Sequence, residues 1–325
     1  MYLNRKLMII LAACLALGAC SSFKGAFGLG FIGDKKDYAR ARDLYSHGHY
    51  EQAIEELSAY IHKTYNVKRR EARAYRLLGM SYEQTGQLSK ALDTYLEALE
   101  FHPKNVPLLL AAADLYQRTG LTDRSIELYE LALQEEPDNL SALAGQAENY
   151  RAMGFYSKAR DFYDRFFTLN PQASAQYRAR YAGTFLNQHN YESAFINITI
   201  ALEQDDSSPD FWLISARANF GLGRTEEALK DIDIALSFSP VRRDLLGTKA
   251  LMLYHNKQYD LSLQTAQQIL DLYPENQLGL FIKALNLKAL GNGKQAAQIL
   301  QQITALNPHS FIGKTADNWQ TYHPL

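Results

Sequence analysis

Residues 72–105 read ARAYRLLGMSYEQTGQLSKALDTYLEALEFHPKN, and this stretch decides the fold of the chain. Tyr75, Leu78, Gly79, Tyr82, Ala91, Tyr95 and Ala98 fall at helical spacing, in two runs of roughly 12 to 14 residues each. Gly86 separates the runs and Pro103 closes the second. Glycine accepts the left-handed backbone that turns a chain out of a helix, and proline cannot continue one. The stretch therefore predicts an antiparallel helix pair. Its small residues, Gly79, Ala91 and Ala98, are the places where two helix backbones can approach closely.

The same unit recurs with a fixed period. Pro103, Pro137 and Pro171 are 34 residues apart, and Pro240, Pro274 and Pro308 keep that step. From Pro171 to Pro240 is 69 residues, so one residue is inserted between the two series, in the fifth unit, where Asp206 replaces the proline. A bend or functional break is expected there. The third unit carries Tyr116, Gly120, Tyr129 and Ala132, with Ser125 where an alanine is usual. The fourth carries Ala147, Tyr150, Gly154, Ala159 and Tyr163, with Phe166 at the last small position. Ala182, Phe185, Tyr191, Ala194 and Ala201 mark the fifth, and Trp212, Ala216, Gly223, Ala228 and Ala235 the sixth. In the seventh, Ala250 and Tyr259 keep the phase, with Ser262 in place of alanine; Ala284, Gly291 and Ala296 mark the eighth. Upstream, Ala41, Leu44, Gly48, Tyr50, Ala53 and Leu57 mark a first unit, followed by a charged insert at Lys68, Arg69, Arg70 and Glu71.

This pattern resembles the tetratricopeptide repeat, whose consensus places Trp, Leu, Gly, Tyr, Gly, Ala, Phe, Ala and Pro at these positions. The resemblance implies an all-α, right-handed superhelix, an α-solenoid of about eight repeats. Their expected bounds are 34–67, 72–105, 106–139, 140–173, 175–208, 209–242, 243–276 and 277–310, with a C-terminal cap over 311–325. Each repeat buries its apolar face only against its neighbours, so stability accumulates along the array.

The first residues point to export. Arg5 and Lys6 precede an apolar run from Leu7 to Leu17, then Gly18, Ala19 and Cys20, the pattern of a secretory signal peptide. Leu17-Gly18-Ala19-Cys20 resembles the bacterial lipobox, which implies a leader over 1–19 and acylation at Cys20. Buried acyl methylenes contribute about 0.8 kcal/mol each, so several chains make a stable anchor. The alternative is an ordinary leader with a coincidental cysteine. Ser21 after the cysteine, rather than Asp, resembles the default for delivery to the outer membrane of the Gram-negative envelope, facing the periplasm. Residues 20–33 read as a lipidated flexible tether, rich in glycine and phenylalanine. Gly28 to Gly33 spells G-x-G-x-x-G, but no strand precedes it and no βαβ unit follows, so it carries no dinucleotide site.

Composition narrows the function. The formal charge of −1 becomes −3 when Arg5 and Lys6 leave with the leader, which argues against nucleic acid or a polybasic membrane patch. The two cysteines, Cys14 and Cys20, leave no disulfide after processing. The eight histidines are scattered, without H-E-x-x-H, C-x-x-C, G-x-S-x-G or a phosphate-binding loop. His47 and His49 flank Gly48 in a turn, without a carboxylate or thiol at metal-ligand spacing. No catalytic residue, metal or cofactor is expected.

In tetratricopeptide superhelices the first helix of each pair lines the concave groove, which holds segments of partner proteins. Carried onto this register, that placement puts Arg73, Arg76, Asp114, Arg118, Glu148, Arg151, Arg180 and Arg217 on the inner face. Arginine forks suit carboxylates and backbone carbonyls, so an acidic or C-terminal peptide is the expected ligand. Past the sixth repeat the surface changes to Phe220, Tyr254, His255 and Phe281, which suit an apolar or aromatic anchor. The alternative is that these charges form surface pairs along and between helices. The lysine and asparagine set of chaperone-binding carboxylate clamps is not reproduced. The expected function is a non-catalytic, membrane-anchored scaffold for other envelope proteins, resembling tetratricopeptide lipoproteins that assist pilus or secretion machines. Adaptors for cell-wall hydrolases or polysaccharide export share these repeats, and a cell-wall enzyme using the groove is the reading from another class. The oligomeric state is open.

Overall fold

The computed structural model describes residues 36–64 and 71–322, so the leader, Cys20, the tether and most of the charged insert lie outside the described residues. Seventeen helices and no strand make up the described residues, which is the all-α solenoid of helix pairs that the period implies. The chain divides into two compact units, the first reaching Asn149 and the second starting at Tyr150.

In the first unit, α1 (36–46) and α2 (Tyr50–Thr64) form one pair, α3 (Ala72–Gln84) and α4 (Leu88–Phe101) the next, then α5 (Val106–Arg118) and α6 (Thr122–Glu135). Helix α7 (Leu140–Ala152) follows and reaches the division. Ala53 and Ala91 are fully buried, and Ser125 takes the equivalent place in α6 with the same burial. Gly79 of α3 leaves room for the Tyr95 ring of α4: a Cβ there would lie 2.2 Å from Tyr95 Cε1. Close approach of this kind is why a small residue is required.

The second unit contains α8 (Tyr156–Leu169), then the pairs α9 (Ala175–Leu186) with α10 (Tyr191–Gln204), and α11 (Pro209–Gly221) with α12 (Thr225–Phe238). It continues with α13 (Arg243–His255) and α14 (Tyr259–Leu272), α15 (Gln277–Ala289) and α16 (Gly293–Leu306), and a last helix α17 (Phe311–Tyr322). Ala316 of α17 is fully buried in one cluster with Leu300 and Ile303 of α16.

Local chemistry explains the punctuation. Each prolyl residue of the period stands two positions beyond a helix end, as Pro103 does after Phe101. Asn105, Asn139 and Asn276, two residues further on, accept the amide hydrogens of Leu108, Ala142 and Gly279 at 3.1, 3.0 and 2.9 Å. Those are N-caps of the next helix. Within each pair, a left-handed residue ends the first helix; at Gly86 (φ 74°) the following amide of Gln87 returns to the Tyr82 carbonyl at 2.8 Å. The fifth and seventh pairs make the same turn without glycine, at His189 (φ 58°) and Lys257 (φ 60°).

The irregular step in the period has a definite location. Helix α9 begins four residues after Pro171, whereas α5, α7, α13 and α15 begin three residues after their prolines. The inserted residue is therefore in the loop before the fifth pair. Aromatic rings occupy this junction: Phe166 and Phe167 of α8 meet Tyr177 and Tyr181 of α9, with centroids 5.1 and 5.3 Å apart. Arg178 lies 3.6 Å from the Phe167 centroid and donates to the Pro171 carbonyl at 3.2 Å and to Asn197 Oδ1 at 3.3 Å. Burial pulls its guanidinium below the ordinary arginine value. A bulky ring at a normally small position and one extra loop residue thus occur together, the longer loop giving slack where alanine-sized packing is lost.

Buried polar groups follow the departures from consensus. Ser125 Oγ donates to the Ala113 carbonyl at 2.8 Å and accepts from Asn149 Nδ2 at 2.8 Å, while Gln117 Nε2 donates to Asn149 Oδ1 at 2.8 Å. Ser262 repeats this in the second unit, donating to the Ala250 carbonyl at 2.7 Å and accepting from Asn286 Nδ2 at 2.8 Å. In both cases serine is paired with an asparagine 24 residues later, on the next repeat. At Ala91 and Ala228, where alanine holds the place, the residues 24 later are apolar, Leu115 and Met252.

Candidate functional site

The predicted arginines fall into different environments. Arg73 is exposed, forms a two-pronged pair with Glu71 at 3.0 and 3.1 Å, and its guanidinium lies 5.3 Å from the Tyr38 centroid. Arg76 is exposed and lies within electrostatic reach of the Tyr45 and Tyr95 phenols. Arg118 is bonded to Glu83 of α3 and reaches Asp114 of its own helix at 3.4 Å. These bonds, that to Glu83 first, raise its guanidinium further above the ordinary arginine value. Glu83 also accepts from the Tyr95 hydroxyl at 2.7 Å. Burial, with that bond, pushes the Tyr95 phenol far up. Arg73, Asp114 and Arg118 are therefore engaged by the chain itself, in exposed pairs of the kind that contribute about 0–1 kcal/mol. Glu148, Arg151 and Arg180 are half-buried and have interactions of their own.

Arg217 differs. It is exposed on α11 and makes no ion pair among the described residues. It stands beside an open hollow of about 390 Å³ where α9, α11 and α13, the first helices of three successive pairs, come together. Leu186, Phe220, Leu251 and Met252 supply apolar wall, and Asn187 and Thr248 polar edge. His189, from the turn after α9, and His255, the last residue of α13, both line it.

The hollow is shaped by the turn that lacks glycine. His189, in the left-handed conformation, hydrogen-bonds through Nδ1 to the Tyr191 hydroxyl at 2.8 Å. The Tyr191 ring in turn occupies the space above Gly221, where a Cβ would meet it at 2.2 Å. On the other side, Phe220 lies 5.8 Å from the His255 ring, which is 5.7 Å from Tyr254. No Asp or Glu borders the hollow.

Of the residues expected beyond the sixth repeat, Phe220 and His255 meet here. Tyr254 turns to Tyr259 at 5.6 Å, and burial raises its phenol. Phe281 is half-buried against the core of the last repeats. Sequence reasoning missed His189, Tyr191 and Gly221 as site-forming residues. The available signal was the glycine missing from the turn at His189, while Gly154 and Gly223 keep it on either side.

A half-buried acid lies outside the hollow. Asp231 of α12 accepts from Ser215 Oγ at 2.7 Å and Asn219 Nδ2 at 2.8 Å. Burial nevertheless raises its carboxyl above the ordinary aspartate value, outweighing the two donors. Among the described residues, no group of three His, Cys, Asp or Glu side chains is placed to hold a metal ion, and no helix is long and apolar enough to cross a membrane.

Comparison with known proteins agrees with this architecture. Residues 38–106 and 106–139 each match the tetratricopeptide repeat. A tetratricopeptide repeat protein from Parabacteroides merdae is similar over 78% of this chain and 98% of its own, with 19% identity and a TM-score of 0.56. The APC/C hetero-tetramer Cut9-Hcn1 matches over 85% of this chain and 54% of its own, with 14% identity and a TM-score of 0.56. YrrB, described as a TPR protein with an unusual peptide-binding site, matches over 57% of this chain and 95% of its own, with 15% identity and a TM-score of 0.51. No curated protein sequence matches the chain. The chain carries tetratricopeptide repeats between residues 38 and 139, and its fold is the all-α tetratricopeptide solenoid.

Proposed function

We propose that the chain is a non-catalytic adaptor, tethered by lipid at Cys20 to the periplasmic side of the outer membrane, that holds segments of other envelope proteins on the first helices of its repeats. Tetratricopeptide repeats of this kind suggest a protein–protein interaction scaffold. The observation that carries the reading is the hollow on α9, α11 and α13, with an unengaged guanidinium beside apolar wall, which is what an extended polypeptide needs for orientation and anchorage. Assisting a pilus or secretion machine is the preferred setting, as the lipobox-like Leu17 to Cys20 joined to the repeats resembles such lipoproteins.

Two measurements test this. Wild-type chain should take up palmitate label and sediment with membranes, and Cys20→Ala should lose both; a Cys20→Ala form that still sediments without label would sink the anchor. Photo-crosslinking residues at Arg76, Asp114 and Thr248 in living cells should give discrete adducts with envelope proteins. Absence of adducts from all three positions, or adducts with cytoplasmic proteins alone, overturns the adaptor reading.

A further inference from the structure

We propose that the hollow framed by α9, α11 and α13 is a docking pocket for an acidic peptide segment that carries a large apolar side chain, with the side chain entering the hollow and its flanking carboxylates meeting Arg217, His189 and His255. The inference rests on the adaptor reading and specifies the ligand chemistry it requires.

Charge is the first argument. One guanidinium and two imidazoles border the hollow, and no carboxylate among the described residues does. At two other places the chain supplies acids to its own arginines: Arg118 has Glu83 and Asp114, and Arg242 has Asp210 and Asp244. Arg217 has none among the described residues. A guanidinium left unneutralised beside apolar wall gains most from a carboxylate brought by a ligand, because the charge-assisted bond forms where water is partly excluded.

Size and preorganisation are the second. A volume of about 390 Å³ is at the small end for ligand pockets, so it suits one or two side chains rather than a folded surface. Its walls are fixed before binding: Tyr191 is wedged over Gly221 and tied to His189. A non-glycine residue held at positive φ is strained and persists where the surroundings over-determine it, often at binding sites. Here the strained residue is His189, at the rim. Phe220 and His255 offer ring faces and edges to an incoming aromatic or aliphatic group.

The test uses the full chain, solubilised in detergent, and three fluorescein-labelled, C-terminally amidated peptides: Gly-Asp-Asp-Phe-Asp-Gly, the same with Asn for each Asp, and the same with Gly for Phe. Fluorescence anisotropy should show the first binding at least about tenfold more tightly than either of the others, each having lost one half of the recognition. Arg217→Ala should weaken the first peptide about tenfold, and Thr248→Trp, which fills the hollow, should abolish its binding with an unchanged circular dichroism spectrum. Equal affinity for the Asp and Asn peptides, an indifferent Arg217→Ala, or no binding of the first peptide up to solubility overturns the proposal. If Thr248→Trp fails to fold, the peptide comparison alone decides. Adducts in cells from Arg76 or Asp114 with no peptide binding here would leave the adaptor reading standing and remove this pocket.

Discussion

Replacing Ser125 by alanine isolates the energetics of the polar links between repeats. Ser125 is fully buried and Asn149 is 1% exposed, and their contact is part of a chain from the Ala113 carbonyl through Ser125 and Asn149 to Gln117. Ser125→Ala removes the acceptor of Asn149 Nδ2 and leaves that amide hydrogen without a partner in a site closed to water. An orphaned buried donor costs about 1–3 kcal/mol, whereas exchanging both partners for apolar groups is nearly neutral. The chain already contains the apolar solution, Ala91 with Leu115 at the same spacing. Ser125→Ala with Asn149→Leu should therefore recover most of the stability lost by Ser125→Ala, giving a coupling of about 1–3 kcal/mol. A double-mutant cycle in urea, followed by circular dichroism, measures this. Long repeat arrays can lose all-or-none behaviour, so the four proteins must share one m-value for the comparison to hold. If the double variant loses the sum of the single losses, the serine–asparagine pair is not the coupled element and the reasoning fails.

Three further outcomes follow from the same packing. Gly79→Ala should destabilise by about 1–3 kcal/mol through overpacking against Tyr95, while Gly183→Ala, where no atom lies within 4 Å of the new Cβ, should not; thermal melts of the two compare them directly. Lys257→Gly should stabilise by up to about 1 kcal/mol by relieving a left-handed non-glycine residue, and His189→Gly should gain less because it also loses the bond to Tyr191; a larger gain at His189 would contradict the role given to that bond. Because Asp231 has a raised carboxyl value, the folded chain holds its proton more tightly than the unfolded chain, so its contribution is full below the ordinary aspartate range and is lost as pH rises through the raised value. Asp231→Asn should thus compare best with the native chain at neutral pH, its relative stability falling on acidification; melts across pH 3 to 7 that show the reverse trend would rule this out.

The candidate site was legible in pieces. Phe220, His255 and Arg217 could be assigned to the first-helix face from the period, because a helical register fixes which side of an element a residue occupies. Arg118 falls on the same first-helix face as Arg217, one turn further along its repeat, and yet Glu83 of the preceding repeat neutralises it. That partner is 35 residues away in sequence, and only the stacking of α3 on α5 brings it close. The departures Ser125 and Ser262 were visible as exceptions to alanine, but their asparagine partners on the following repeat were not recognised, since no local rule links residues 24 apart.

By itself, the sequence determined the helix pairs, their period and the existence of one irregular step between Pro171 and Pro240, because helical periodicity, turn residues and proline act within a few residues of one another. Tertiary structure decided which arginines are spent on the chain's own carboxylates, where the inserted residue is absorbed, and how His189, Tyr191 and Gly221 open a hollow beside Arg217. Those outcomes depend on side chains from different repeats competing for the same partners. That competition is settled by distance in space, which a single repeat cannot encode.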